Sequence, residues 1–422
     1  MTKPSKKCGI AALLACLPGL VFSPDTVAID LHGHAKLQAT SIDIPADSLL
    51  QEAGADPADD GSVELRLNLG ERAGGWQWQA DYQLLARQGD RLELQRQFPA
   101  LDFGAAAIPD DETRLFDLTH VISEGDDRVV AHRLDRLYIG YSNPKAVIKF
   151  GRQAVSWGNG LIYNPVDFFN PFDPAAIDTE YKAGDDMLYS QYLFDSGADL
   201  QGLWVARRDE QGEVASDASS LAFKLHGFIP AGEYDLLLAE HYDARIAAIG
   251  GVFDAGGAIW RGDAMLTDNG SETFTSAVVN WSYSWVAWEH NMSGSLEYFY
   301  NGFGIDDGDY GPAALAENPE LTARIRRGEL FTLARDYLAA TATLELTPLW
   351  QLTATLFANL DDDSRLLQLF ARHDLEQNLQ LLLAANLPAG DDGSEFGGID
   401  SGIDGRPLST GNSLFAQLAW YF

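Results

Sequence analysis

The sequence predicts an all-β protein: a transmembrane, up-and-down antiparallel β-barrel of about 18 strands, with about 16 as the alternative count. Three observations carry that expectation. Short stretches with every second residue apolar recur along nearly the whole chain, and successive strand side chains point to opposite faces. No run beyond residue 28 is long and apolar enough for a membrane-crossing helix. The closing stretch, Asn412 to Phe422, puts Leu414, Ala416, Leu418, Trp420 and Phe422 on one row, and that face wants hydrocarbon.

The start of the chain reads as a secretory signal peptide over residues 1–28. Lys3, Lys6 and Lys7 are followed by the apolar run Gly9 to Phe22 and a small-residue cleavage site, Thr26-Val27-Ala28. A lipoprotein signal ending at Cys16 is the rival reading; Leu14 and the apolar residues after Cys16 speak against it. Cys8 and Cys16 both fall in this segment. Residues 29–422, the expected barrel, therefore have no thiol for disulfides, metal thiolates or nucleophilic catalysis. The chain holds 62 Asp plus Glu against 29 Lys plus Arg, a net charge of −33, which repels nucleic acid. Acidic outer loops gathering Ca2+ or Mg2+ loosely beside lipopolysaccharide fit this balance as well as a plain soluble acidic surface does. No other cofactor and no metal site are expected.

The first strand carries Leu31, Gly33, Ala35, Leu37 and Ala39 on one face and His32, His34, Lys36, Gln38 and Thr40 on the other. The second alternates Val63, Leu65, Leu67 and Leu69 with Glu64, Arg66 and Asn68. After a turn at Arg72 to Gly75, Trp76, Trp78, Ala80, Tyr82 and Leu84 alternate with Gln77, Gln79, Asp81 and Gln83. A charge facing hydrocarbon costs about 2–4 kcal/mol at mid-depth, so Lys36, Glu64, Arg66 and Asp81 are assigned to a wet lumen. Residues 88–128 form a long connection in which 114–122 is either an extra strand or part of a loop. Asp135 to Tyr141 and Ala146 to Ser156 then pair across Asn143-Pro144-Lys145, with Arg136 and Lys149 inward.

The next segment cannot be regular strand. It runs Gly151-Arg152-Gln153-Ala154-Val155-Ser156-Trp157-Gly158-Asn159-Gly160, then Asn164-Pro165-Val166-Asp167-Phe168-Phe169-Asn170-Pro171-Phe172-Asp173-Pro174. Its prolines and glycines break a ladder, yet it is too apolar to float in solvent. The nearest shelter is the lumen, so residues 157–185 are expected to fold inward after strand 5 as a constriction loop. The candidate solute contacts are Arg152, Gln153, Trp157, Asn159, Tyr163, Asn164, Asp167, Phe168, Phe169 and Phe172. The string G-R-Q-x-x-x-W-G followed by N-P-x-D-x-F-N-P-F resembles a recurrent signature of Gram-negative porin-like barrels of unassigned substrate, over residues 134–192. The closing stretch is similar to the last strand of such outer-membrane barrels. That resemblance implies that Trp420 and Phe422 are the signal read by a barrel assembly machinery, that the site is the cell outer membrane after export to the periplasm, and that a homotrimer is open.

From Met187 on, hairpins follow one another: 187–194 with 200–207, 219–229 with 233–242, 245–254 with 258–267, 273–285 with 292–301, 335–346 with 350–360, and 365–374 with 379–388. Arg261 and Asp263 join the lumen set there. The late loop 303–333 holds a short helix, Pro319 to Arg327, whose Arg324, Arg326 and Arg327 read as a solvated face. On this count the long connections all fall on one rim. The acids of the loop, among them Asp167, Asp173 and Asp178, fix no carboxylate pair for glycoside hydrolysis. No G-x-S-x-G elbow or H-E-x-x-H helix is present, so no catalytic residue is assigned and an enzyme is not expected. The predicted function is passage of a small uncharged or amphipathic solute. A closed barrel serving a transport or export complex is the alternative, and a barrel-borne surface hydrolase the weaker one.

Overall fold

The computed structural model describes residues 30–52, 54, 57–97, 108–403 and 405–422; the expected signal peptide lies outside them. Eighteen strands close into one antiparallel wall. In chain order the strands are β1 (Asp30–Ile42), β2 (Ala58–Ala73), β3 (Trp76–Gly89), β4 (Thr119–Glu124), β5 (Arg128–Ser142), β6 (Ala146–Gln153), β7 (Asp185–Leu193) and β8 (Asp199–Val205). They continue as β9 (Ser220–Ile229), β10 (Gly232–His241), β11 (Ala244–Ala255), β12 (Ala258–Asp268), β13 (Thr273–Ala287), β14 (His290–Tyr300) and β15 (Asp336–Thr347). The last are β16 (Trp350–Asn359), β17 (Arg365–Glu376), β18 (Leu379–Ala389), β19 (Ile399–Asp400), β20 (Pro407–Leu408) and β21 (Ser413–Tyr421). All but β4, β19 and β20 belong to the circuit; β19 and β20 pair only with each other in an outer loop.

Closure follows the predicted rows. Ala35 lies opposite Trp420 and Leu37 opposite Leu418 where β1 meets β21. Gly33 and Phe422 exchange two backbone hydrogen bonds of 2.9 and 3.0 Å at the seam. A Cβ at Gly33 would stand 2.1 Å from the Arg66 carbonyl oxygen, so only glycine lets β1 and the terminal ring share that corner. On β1, β2 and β3 the apolar rows Leu31, Leu37, Val63, Trp76 and Trp78 are exposed outward, while His34, Lys36, Arg66 and Asp81 are buried inside. Short turns such as 74–75, 143–145, 230–231 and 256–257 occupy one rim, the turn end. The long connections 43–57, 90–127, 154–184, 301–335 and 390–412 occupy the other, the loop end.

The uncertain segment 114–122 takes an unforeseen place. β6, β7 and β8 are short, and β6 pairs with β5 only from Leu137 to Ser142. β4 covers the free outer half of β5, with Thr119 opposite Arg133 and Val121 opposite Ala131. The chain just before β4 crosses to the end of β8, where Arg114 bridges Arg207 and Arg208 N–H donates to the Thr113 carbonyl at 2.8 Å. Residues 113–124 thus form a belt that completes the wall above three short strands without joining the closed count of 18.

Candidate functional site

The loop at 154–184 lies inside the barrel and follows its inner wall. Starting from β6, the Trp157 indole donates to Gln201 on β8 at 2.9 Å. Asn159 then reaches β12 and β10: its backbone and side-chain N–H groups donate to Asp263 at 2.6 and 2.7 Å, and its amide to Asp235 at 3.3 Å. The backbone N–H groups of Leu161, Ile162 and Tyr163 all converge on the Glu297 carboxylate of β14, at 2.8, 3.0 and 2.6 Å. Three consecutive amides around one carboxylate are charge-assisted bonds that fix a backbone turn in place. Asn280 supplies a fourth donor to Glu297 at 3.1 Å.

Beyond that clamp the Tyr163 ring stacks on Phe299 at 4.9 Å and meets Tyr337 and Phe357 at 5.5 and 6.4 Å. Gln368 on β17 donates to the Ala175 carbonyl at 2.8 Å. Lys36 on β1 holds Asp178 and Glu180 at 2.6 and 2.8 Å, and the Tyr421 hydroxyl on β21 donates to Glu180 at 3.0 Å. The Arg66 guanidinium of β2 lies 3.9 Å from the centre of the Tyr181 ring, a cation–π contact. Arg136 on β5 donates to the Lys182 carbonyl before the chain re-enters β7. The loop therefore makes a near-complete circuit, a hoop pinned to the wall strand after strand.

The hoop is also tied across itself. Lys182 pairs with Asp167 and donates to the Val155 carbonyl at 2.7 Å and the Ser156 hydroxyl at 3.1 Å. Burial pushes the Asp167 carboxyl up and the Lys182 ammonium down, and each charge opposes the other's shift. Asn164 donates to the Trp157 carbonyl at 2.9 Å. Gly158, at φ 92°, sits where a Cβ would be 2.0 Å from the Asn164 side-chain oxygen. Phe168 and Phe169 are buried against His241, with ring centres at 4.8 and 5.5 Å. Phe172 is half-buried with Pro171 and Phe303 beside a cleft under the outer loop.

The other sequence candidates divide by face. Gln153 turns inward and donates to the Met187 carbonyl at 3.3 Å. Arg152 shares the row of Ile148 and Phe150, both exposed on the outer face, and is itself wholly buried. It corrects the expectation of a constriction contact, because its guanidinium is covered from outside by the belt. It pairs with Asp186 at 2.9 Å and Asp111 at 2.7 Å and donates to the Phe116 carbonyl at 2.6 Å. The Phe116 N–H in turn donates to Asp186 at 2.7 Å. Burial disfavours the Asp111 carboxylate, but Arg152 and the Leu118 N–H together outweigh it and hold the group down at about 2. Of the lumen charges, Arg66 is locked between Asp81 at 3.3 Å and Asp135 at 2.6 Å, and Glu64 accepts from His34 at 3.0 Å. Arg136 also pairs with Asp135 at 2.7 Å, and Arg261 donates to Ser282 at 2.8 Å.

The outer loops pack onto the hoop. Helix α1 (Leu49–Glu52) and helix α2 (Asp90–Gln97) lie in the first two long connections; α3 (Pro312–Glu317), which the sequence reading missed, precedes α4 (Pro319–Arg326). The solvated face expected for α4 is corrected at Arg324. This side chain is buried 4.0 Å over the Phe303 ring and pairs with Glu329 at 3.2 Å, a carboxylate that Arg327 shares at 2.7 Å. A second knot centres on Glu395, which accepts from Leu333 N–H at 2.9 Å, the Tyr337 hydroxyl at 2.6 Å and the Asn359 amide at 2.9 Å. Burial pushes its carboxyl up to about 7.

Among solved structures, this chain is similar to a BenF-like porin from Pseudomonas fluorescens Pf-5, at 10% identity over 93% of this chain and 98% of that one, with a TM-score of 0.53. It is also similar to Acinetobacter baumannii OccAB2, at 10% identity, 93% and 97% coverage and a TM-score of 0.53. OccAB1 of the same organism gives 9% identity, 93% and 96% coverage and 0.51. No family model and no curated protein matches the sequence. What the chain shares with these porins is the closed antiparallel barrel.

Proposed function

We propose that the protein is a porin-like outer-membrane channel whose infolded hoop narrows the path for a small uncharged or amphipathic solute. One observation carries this reading: the segment 154–184 is fastened round the inner wall by contacts from β8 to β5 instead of projecting beyond the rim. A loop held that way narrows a lumen, and selectivity in such pores follows from radius and lining groups. Asn159, Asn164 and Phe172, which stay partly exposed, then face the aperture, and the buried Trp157, Tyr163, Phe168 and Phe169 hold the hoop that frames it. The paired charges Lys36, Arg66, Asp81 and Arg136 position the hoop more than they attract an ion. The apolar outer row meets membrane lipid, the acidic outer loops meet lipopolysaccharide, and Trp420 with Phe422 serves barrel assembly.

The test is single-channel recording in planar bilayers, on the parent and on a variant lacking residues 160–180. The parent is expected to conduct, and the deletion to raise conductance. Absence of current in both would overturn the reading in favour of a closed barrel acting for a transport complex.

A further inference from the structure

A cavity of about 410 Å3 opens at the turn end of the lumen, beneath the point where the hoop leaves β6. Two cations line it, Lys149 on β6 and Arg72 at the end of β2, and no carboxylate does. In a chain with 62 acids and 29 bases that is unusual. Among the described residues there are five lysines, and four have a carboxylate within 4 Å: Lys36, Lys145, Lys182 and Lys224. Lys149 has none. It is half-buried, with its ammonium 5.0 Å from the centre of the Tyr138 ring, which steadies a cation without neutralising it.

Two carboxylates on nearby strands are already engaged. Asp81 accepts from Arg66 and Gln79, and Asp199 accepts from Gln191 and Gln201. Two like charges facing one cavity repel each other, and an anion between them removes that cost. The rest of the lining is mixed: Val147, Ala154 and Val155 form an apolar patch among Ser142, Gln153, Ser156, Gln191 and Gln201. Gln77, buried on β3, brings an amide to the same space.

We propose that this cavity binds an amphipathic organic anion, its charged head on Lys149 and Arg72 and its apolar body against Val147, Ala154 and Val155. The inference rests on the channel reading only in placing the site on a solute path; binding itself does not require current. It turns an amphipathic solute into one with a stated charge. The body meets the apolar patch as the head is met by Lys149, the one lysine among the described residues with no carboxylate within 4 Å.

The probe pair is p-toluenesulfonate and its neutral isostere p-toluenesulfonamide. Each is titrated calorimetrically into the full-length protein in detergent and applied to single channels from either side. The sulfonate should bind about tenfold more tightly than the sulfonamide. Lys149→Gln should remove about that factor, and Lys149→Arg should keep most of it. The sulfonate should interrupt current from the turn end at lower concentration than from the loop end. Equal affinity for the two probes, or affinity unchanged in Lys149→Gln, overturns the site. Selective binding without any current leaves the site standing and sinks the channel; current without binding or block does the reverse.

Discussion

Two arcs of the wall hold the same hoop by different chemistry. On β13 to β16 the grip on the Tyr163 ring is apolar, beside the Glu297 clamp on its backbone: Val278, Phe299, Tyr337 and Phe357 are buried with Tyr163, and outer-loop residues Phe303, Ile305, Tyr310 and Leu321 continue that core. On β1, β2 and β5 the grip is ionic, with Lys36, Arg66 and Arg136 reaching Asp178, Glu180, Tyr181 and the Lys182 carbonyl. The apolar arc fills its half of the lumen at the loop end. The ionic arc leaves half-exposed partners and hence water. The difference teaches that the first arc sets whether the hoop stays folded in, and the second sets how it lies in the solvated half.

The sharpest way to break that comparison is Tyr163→Ala. Removing a buried aromatic ring costs about 3–5 kcal/mol through lost transfer energy and the cavity left behind. Unfolding in urea from lipid vesicles should show most of that loss, with Tyr163→Phe near the parent. A Tyr163→Ala variant as stable as the parent would show that the apolar arc is not the main anchor.

The next effect is a pH dependence confined to the apolar arc. Glu395 ties the outer loops over Tyr337, and burial raises its carboxyl from 4.5 to about 7. The folded knot thus binds the proton more tightly than the opened one. Its stabilising effect is full below pH 4.5 and is lost as pH rises through about 7, up to about 3 kcal/mol. Hydrogen-exchange protection at residues 330–337 and 393–397, taken relative to the base-catalysed intrinsic rate, should fall between pH 5.5 and 8.5 in the parent and stay level in Glu395→Gln. Weaker protection at the acid end would reverse the sign and defeat the argument.

How much of this was legible depended on whether the signal was periodic or spatial. The rows of Val63 to Leu69 and Trp76 to Leu84 predicted β2 and β3 because a two-residue period needs no knowledge of partners. The hoop was legible by exclusion, since Pro165, Pro171 and Pro174 forbid a ladder while Phe168 and Phe169 demand cover. Arg152 was misplaced although the period held the answer: it shares parity with Ile148 and Phe150, as Asp186 does with Leu188 and Tyr192. Charges on an outward row must be covered. What could not be read was the cover itself, since Asp111 and Phe116 lie 41 and 36 residues from Arg152 and meet it through side chains and a loop carbonyl. The Glu395 knot was hidden for the same reason, as it joins two loops to β15 and β16 with no shared period.

A smaller change tests the carboxylate clamp on β14, inside the apolar arc. Glu297→Gln keeps the shape but turns three charge-assisted acceptor bonds into a crowded neutral amide, at a cost of about 2 kcal/mol. The hoop should remain inside, held by Tyr163, while single-channel traces gain flicker between levels. Quiet traces at the parent level would mean that the three N–H groups of residues 161–163 need no carboxylate to hold their turn.

The smallest effect belongs to the ionic arc. Lys36 is buried, but its partners Asp178 and Glu180 keep 24% and 34% of their side-chain surface exposed, so water and salt reach the pair. Exposed ion pairs contribute about 0–1 kcal/mol and are screened as ionic strength rises. Lys36→Met should therefore lower stability by about 1 kcal/mol in dilute buffer, and less in strong salt. Parent conductance, corrected for bulk conductivity, should drift toward that of the variant as salt increases, because screening loosens the same stretch of hoop that the substitution frees. Tyr163→Ala should show no such convergence, since dispersion and burial are not screened. If the two variants respond to salt alike, the arcs do not differ in kind, and the hoop is one cooperative unit held by its ends.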